Sequence, residues 1–396
     1  MATRSVATAW MSIGVLFVVL LGVTGFAQEK RGLKFNNLTV SPYVNVEYNY
    51  DSNVDMDKRE YDDSYLTVNP GVDLSYTGND WGLKGNAWYG YDKYLEYSEL
   101  DEPRYGQELM FYKESAKGWR LVLGESYMKS RENDSIIDGG RGIWRDRDVF
   151  ELTGALSYQM SERTGATLSG QFSDLSYKND GNMYGQLYGW QEWSTGLEVS
   201  RKLTEKSNLL VSGSYQEYES DGAKGLSTQS TGYSLMGGFG SRATERISYR
   251  VLTGASWFDY ADGDQLTGWT YSLDASWLIN KKWAATLAGS SYFQPSEREM
   301  NQAMQVYTLS GGLTYRPMRK LTTRMDLAYR REENEYARIG VGSVTDEVYS
   351  LRLRADYQLM RHVSVYGGIE YEDWMSDDDN QEYDRFLGTL GLNFRY

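Results

Sequence analysis

The chain has 396 residues, 41 basic against 55 acidic, and a formal net charge of −14. That balance argues against nucleic acid as a partner, which calls for clustered Lys and Arg, and the lack of Cys excludes a disulfide framework or a thiolate metal site. Tyr (34), Trp (12) and Gly (41) are abundant and Pro (5) is scarce, a mixture that suits strands of which only alternate residues meet lipid.

At the N-terminus Arg4 precedes an apolar run, Ile13 to Val23, and Gly25-Phe26-Ala27 offers small residues at the −3 and −1 positions before Gln28. This layout predicts a secretory signal peptide over residues 1–27. The run is too short for a spanning helix, which needs ~20 apolar residues. Loss of Arg4 with the leader leaves 40 basic against 55 acidic residues, a net charge of −15. Residues 28–37 are expected as a short periplasmic segment and 38–396 as one domain.

From there the chain reads as hairpins with two kinds of connection. Short polar turns fall at 78–80, 115–118, 161–164, 204–207, 243–246, 280–282, 316–320 and 360–362. Longer, more acidic connections fall at 51–62, 96–105, 131–146, 178–187, 220–227, 261–266, 294–303, 333–344 and 375–384. Eight turns and nine loops join eighteen strands. A repeat of about 40 residues also suits a β-propeller blade, but a blade folds four short strands into that length. Here each repeat holds two long runs. Ile247, Tyr249, Val251, Thr253, Ala255 and Trp257 alternate with polar or small residues, as do Trp269, Tyr271, Leu273, Ala275, Trp277 and Ile279.

The expected fold is therefore all-β, a transmembrane antiparallel up-and-down β-barrel of about 18 strands, with short turns on the periplasmic side and long loops outside. The apolar faces predict lipid contact for Val40, Pro42, Val44, Val46 and Tyr48 on the first strand. The second offers Leu66, Val68, Pro70, Val72, Leu74 and Tyr76, and a late one Tyr349, Leu351, Leu353, Ala355 and Tyr357. Pro42 and Pro70 each remove a ladder donor, so a bulge or strand end is expected near each. The last strand alternates Phe386, Gly388, Leu390, Leu392, Phe394 and Tyr396 against Thr389, Gly391, Asn393 and Arg395. It resembles the C-terminal signature of bacterial outer-membrane proteins, and a closed barrel needs it to pair with the first strand.

A barrel of this width is too wide for its own side chains to fill. The opposite face of the alternation places Glu47, Asp73, Glu151, Arg250, Asp274, Arg324, Asp326, Arg330, Arg352, Arg354, Asp356 and Glu370 in its lumen. Of these, Arg250, Arg324, Asp326, Arg330, Arg352, Arg354, Asp356 and Glu370 are the candidate pore-lining residues. Arg324, Arg330, Arg352 and Arg354 form a basic strip on two neighbouring strands. Such a strip either guides an anion or is neutralised by Asp326, Asp356 and Glu370. Trp88 and Tyr366 are aromatic candidates for stacking on sugar rings.

Two outer loops are crowded with carboxylates: Asp51, Asp55, Asp57, Glu60, Asp62 and Asp63 in one, and Asp377, Asp378, Asp379, Glu382 and Asp384 in the other. Such clusters can bind Ca²⁺ or Mg²⁺, yet neither has EF-hand spacing and Lys58 and Arg59 interrupt the first, so a solvated face is the simpler account. His362 is the one histidine, and it sits at a short turn, remote from the outer rim. No catalytic set, metal site or cofactor is expected.

Ser41-Pro42-Tyr43 followed by Tyr48-Asn49-Tyr50-Asp51-Ser52-Asn53-Val54 resembles the opening of the putative beta-barrel porin 2 family. The turns Leu203-Thr204-Glu205-Lys206-Ser207 and Leu359-Met360-Arg361-His362-Val363 are similar to that family's. The resemblance implies a porin-like barrel of the Gram-negative outer membrane, in contact with lipid and a hydrophilic solute or saccharide, and carries no catalytic residues. Some members accompany exopolysaccharide export, which adds a periplasmic export partner to the expectations. The expected function is passive passage of hydrophilic solutes, as the outer port of a polysaccharide or oligosaccharide pathway. The alternative is a structural or adhesive barrel that does not conduct and acts through its acidic outer loops.

Overall fold

The structure, a computed structural model, describes residues 32–56, 58, 60–134, 143–178, 189–221, 227–259, 265–295, 302–336, 344–377 and 382–396. The expected leader, residues 1–27, lies outside them, as do Asp57, Arg59, Asp378 and Asp379 of the acidic loops.

A short strand β1 (Leu33–Phe35) turns back on the start of β2 (Leu38–Asp51). There follow β3 (Asp63–Thr77), β4 (Trp81–Tyr94), β5 (Glu102–Glu114), β6 (Trp119–Asp134), β7 (Ile143–Gln159) and β8 (Thr164–Lys178). Next come β9 (Trp190–Lys202), β10 (Ser207–Asp221), β11 (Ser227–Ser241), β12 (Ile247–Asp259), β13 (Gln265–Trp277) and β14 (Trp283–Pro295). The chain ends with β15 (Gln302–Met318), β16 (Leu321–Tyr336), β17 (Val344–Met360), β18 (Val363–Ser376) and β19 (Tyr383–Arg395). From β2 onward each strand pairs antiparallel with the next, and β19 pairs with β2 from Leu387↔Asp51 to Arg395↔Tyr43. The result is a closed barrel of 18 strands. No helix among the described residues is long and apolar enough to cross a membrane.

The alternation places the faces. Outward side chains are exposed and apolar, with Leu390 at 61 %, Trp193 at 58 % and Leu235 at 56 %, whereas polar residues of opposite parity such as Thr67 and Ser173 are buried. Two aromatic rings bound the apolar face. On the turn side Tyr76 stacks on Trp81 at 4.5 Å and Trp283 on Tyr315 at 4.1 Å. On the loop side Phe172 meets Trp193 at 4.3 Å and Tyr329 meets Tyr349 at 5.0 Å. Tyr349 and Tyr357 mark the two rings on β17; eight residues of a strand inclined ~40° span about 20 Å, close to the ~25 Å apolar band of such barrels. Among the described residues one charged side chain faces outward between the rings: Glu125 on β6, which accepts a hydrogen bond from Gln107 Nε2 on β5 at 3.2 Å.

Several strand ends differ from the expected connections. Residues 131–146 read as a loop because they are densely charged, yet Arg131↔Asp146 through Asp134↔Ile143 are paired in β6 and β7. Beyond the lipid, strands need no apolar face, so a densely charged sequence is compatible with a ladder. At Pro42 the β19 ladder ends one residue earlier, at Tyr43, while β1 covers residues 38–40. At Pro70 the β3–β4 ladder skips from Val68↔Tyr91 to Gly71↔Trp88 without changing register, an interruption rather than a bulge. A register shift does occur at Pro317, between Tyr315 and Met318.

One ladder is short. β13 and β14 pair only from Tyr271↔Ser291 to Trp277↔Ala285, and past Tyr271 they part. The end of β14 then slips behind β13: Phe293 packs against Phe258 and Leu266 on the inner face, and a β-carbon at Gly268 would have to displace its ring. The Phe293 carbonyl accepts a hydrogen bond from Gln216 Nε2 of β10 at 3.1 Å. Side chains replace the missing ladder bonds, as the Ser291 hydroxyl and the Gln305 amide both donate to the Trp269 carbonyl, at 3.1 and 3.0 Å.

The closing seam is held by more than its ladder. Arg385 of β19 grips Asp51 of β2 through Nε at 2.8 Å and through Nη2, with both residues buried. At the other end the His362 Nδ1–H donates to the Arg395 carbonyl at 3.0 Å and its ring stacks on Tyr396. Breaking a buried pair leaves a charge without a counterion, at a cost of ~3–5 kcal/mol. Arg385→Ala is expected to lose about that much unfolding free energy in a urea titration of the barrel refolded in lipid vesicles. A loss under ~1 kcal/mol would mean that the pair contributes no more than a surface one.

Candidate functional site

The inner wall has two chemistries. From β8 to β15 its inward positions are mainly small or hydroxylated: Thr167, Ser194, Ser214, Ser234, Ser272 and Ser290 are representative. Hydroxyls of adjacent strands face one another, as in Ser214–Ser234 at 2.6 Å, Ser248–Ser276 at 2.7 Å and Ser290–Thr308 at 2.8 Å. This arc lines a cavity of about 340 Å³ that is open on one side. Arg250 is among its charged groups; it is joined to Glu198 of β9 and lies 3.7 Å from Asp274 of β13. Side chains from strands that far apart converge only on the concave side.

The arc from β16 through β19 to β5 is charged, and its ions are mostly paired. Arg352 holds Glu370 through two parallel bonds of 3.0 Å. Arg354 holds Asp356, with Nη2 at 2.9 Å, and lies 4.1 Å above the Tyr366 ring. Arg330 pairs with Glu332, two residues along the same strand. Arg324 and Asp326 are exposed and make no ion pair with a described residue. The strip is thus largely neutralised on its own wall, by Glu370, Asp356 and Glu332. Glu151 lies buried on β7, within 3.5 Å of the Ser126 hydroxyl.

Tyr366 is already occupied. Its ring lies flat over Gly391, where a side chain would overlap it; its hydroxyl donates to Glu47 at 2.5 Å; and Arg354 covers the ring. It cannot offer a face to a sugar. Trp88 lies over Gly106 of the next strand, half-buried. Around the seam the polar groups form chains, Thr389 to Asn49 to Thr67 to Asp92 to Arg104 across five strands, and Asp73 is held by Asn86 at 2.7 Å and Arg395 at 2.9 Å.

The outer end of the barrel is narrowed from within. After β2 the chain folds inward, so that Val54 packs with Tyr65, Tyr94 and Leu100, and Asp63 accepts the backbone N–H groups of Ser64, Glu96 and Tyr97. Asp51 and Asp63, two of the carboxylates read as a solvated cluster, therefore serve as fasteners, a role that residue type alone does not reveal. Among the described residues no group of three or more carboxylates and histidines is arranged to hold a metal ion. Tyr366→Phe keeps the ring over Gly391 and removes only the donor to Glu47. It is expected to cost ~1.5–3 kcal/mol of unfolding free energy, the range for a hydrogen bond to a charged group, measured by urea titration; an unchanged midpoint and slope would show that the bond is not formed.

Comparison with solved structures finds other barrels. The FrpB iron transporter from Neisseria meningitidis (F5-1 variant, apoprotein form) aligns at 9% identity and a TM-score of 0.51, covering 93% of this chain and 82% of that one. The F3-3 variant of the same transporter aligns at 11% identity and a TM-score of 0.49, covering 89% of this chain, which spans only 63% of its length. The outer membrane protein opdK from Pseudomonas aeruginosa aligns at 11% identity and a TM-score of 0.46, covering 90% and 99%. Identities this low speak to the fold alone. A comparison with curated protein sequences found no match. The profile of the putative beta-barrel porin 2 family matches residues 27–396, nearly the whole chain: this is a member of that family, an outer-membrane β-barrel.

Proposed function

We propose that this barrel is a channel that passes hydrophilic solutes across the outer membrane of a Gram-negative cell, without catalysis, as the outer port of a saccharide pathway. The observation that carries the reading is the hydroxyl-lined cavity between β8 and β15, since a wall of hydroxyls can replace the hydration shell of a sugar at little cost. Arg250, Arg324, Asp326, Arg330, Arg352, Arg354, Asp356 and Glu370 are proposed as pore-lining residues. Paired ions such as Arg352–Glu370 give local fields without a strong net preference, which suits a neutral solute better than an anionic polymer. A polysaccharide export partner, on this reading, docks at the short turns, and residues 1–27 direct the chain to the membrane.

The inturned segments at Val54 and Phe293 favour a second reading, a barrel that does not conduct and works through its outer loops. Single-channel recording of the refolded mature chain, at low and high salt and with added oligosaccharides, separates the two. A steady conductance blocked by sugars is expected. A silent bilayer, with folding confirmed by the heat-dependent gel shift, would sink the channel reading. Arg352→Glu with Arg354→Glu is expected to move the reversal potential toward cation selectivity; no movement would remove both residues from the pore wall.

A further inference from the structure

We propose that the cavity beneath the inturned end of β14 is a binding site for a cationic polyol, an amino sugar being the simplest case, with Glu192 as the residue that reads the charge. The proposal rests on the reading of the inner wall as a surface that meets solutes, and narrows the solute class.

Three observations carry it. First, the space is of ligand size: its volume of about 340 Å³ lies at the low end of the ~300–1,000 Å³ of small-molecule sites. The Phe293 carbonyl, bonded to Gln216 of β10, lies across it on the loop side. Second, its walls suit hydroxyls. Ser214 with Ser234, and Ser290 with Thr308, are hydroxyl pairs that line it. Ser214 with Ser234 uses one proton and one lone pair internally and keeps a proton for a ligand, whereas Thr308 also donates to the Ser290 carbonyl at 3.4 Å, so that pair offers lone pairs only.

Third, its charge does not balance. The carboxylates Glu192, Glu198 and Asp274 line the cavity against one cation, Arg250. Arg250 serves Glu198 and Asp274, and Glu192 forms no ion pair or hydrogen bond with a described residue. The further charge that acts on Glu192 is Glu151 of β7, also a carboxylate. Arg330, which like Glu192 lies near Tyr292, is paired with Glu332. A carboxylate held in a confined space without a counterion is costly, and a ligand ammonium relieves that cost where a neutral sugar does not. An acidic sugar meets repulsion.

The test is calorimetric titration of the refolded full-length mature barrel in detergent with glucosamine, glucose and glucuronate, alongside single-channel recording. Glucosamine is expected to bind at least ~10-fold more tightly than glucose, with no detectable binding of glucuronate; ~10-fold corresponds to one lost charge contact of modest strength. Glu192→Gln, close in shape, is expected to abolish the preference for glucosamine over glucose. Equal affinity for glucosamine and glucose in the unaltered protein overturns the proposal whatever the variant does, as does a preference that survives Glu192→Gln. An open channel without the preference would refute this site and leave the channel reading intact. A silent barrel that still prefers glucosamine would keep the site and refute the channel.

Discussion

The structure depends on one requirement: inside lipid no backbone N–H or C=O can go unpaired, so the sheet must close on itself. The closing pair, β19 with β2, joins residues more than 330 positions apart, such as Leu387 and Asp51. No local preference brings them together, and the inner wall there is correspondingly dense with polar contacts. Arg385–Asp51, Thr389–Asn49, Tyr366–Glu47 and Arg395–Asp73 all cross the seam or flank it. The C-terminal aromatic belongs to the same device, since Tyr396 donates its N–H to the Pro42 carbonyl and stacks on His362. The single histidine is thus a fastener of the chain end.

Much of this was legible in the sequence. A period of two over long runs, with short turns at one end, gave the strand number, the faces and the closing partner, because lipid and water impose opposite demands on adjacent residues. What could not be read follows from the same physics. Strands that stand above the membrane lose the apolar signal, so 131–146 looked like a loop. Asp51 and Arg385 look like any loop acid and strand base until the ring closes and buries both. The parting of β13 from β14 has no signature beyond Gly268, whose purpose is visible only with Phe293 lying behind it.

The two walls of the interior divide the work. The charged arc spends most of its ions on one another and on the seam, which leaves a rigid surface of weak net charge. The hydroxylated arc is lined by small side chains and so retains open volume, and its few charges do not cancel. Aromatic residues that face inward on the charged arc lie flat over glycines, as Tyr366 does on Gly391, filling the wall without obstructing the interior. The arginine-rich strands suggested either a guide for an anion or a neutralised wall; the open volume lies against the quieter serine-rich arc.

Glu125 has a consequence for how the molecule sits in its bilayer. On β17 the outward stretch between the aromatic rings holds Leu351, Leu353 and Ala355, whereas on β6 the carboxylate at 125 ends the apolar stretch after Leu121 and Leu123. One fewer outward position shortens the hydrophobic height on that flank by ~5 Å for an inclined strand. A barrel with unequal sides matches a flat bilayer only by leaning, or by drawing the lipid thinner beside β5 and β6, each at a fraction of a kcal/mol per Å. Either way the flank bearing Gln107 and Glu125 is the short side of the barrel, and it sets the direction of the lean or the place of the thinning.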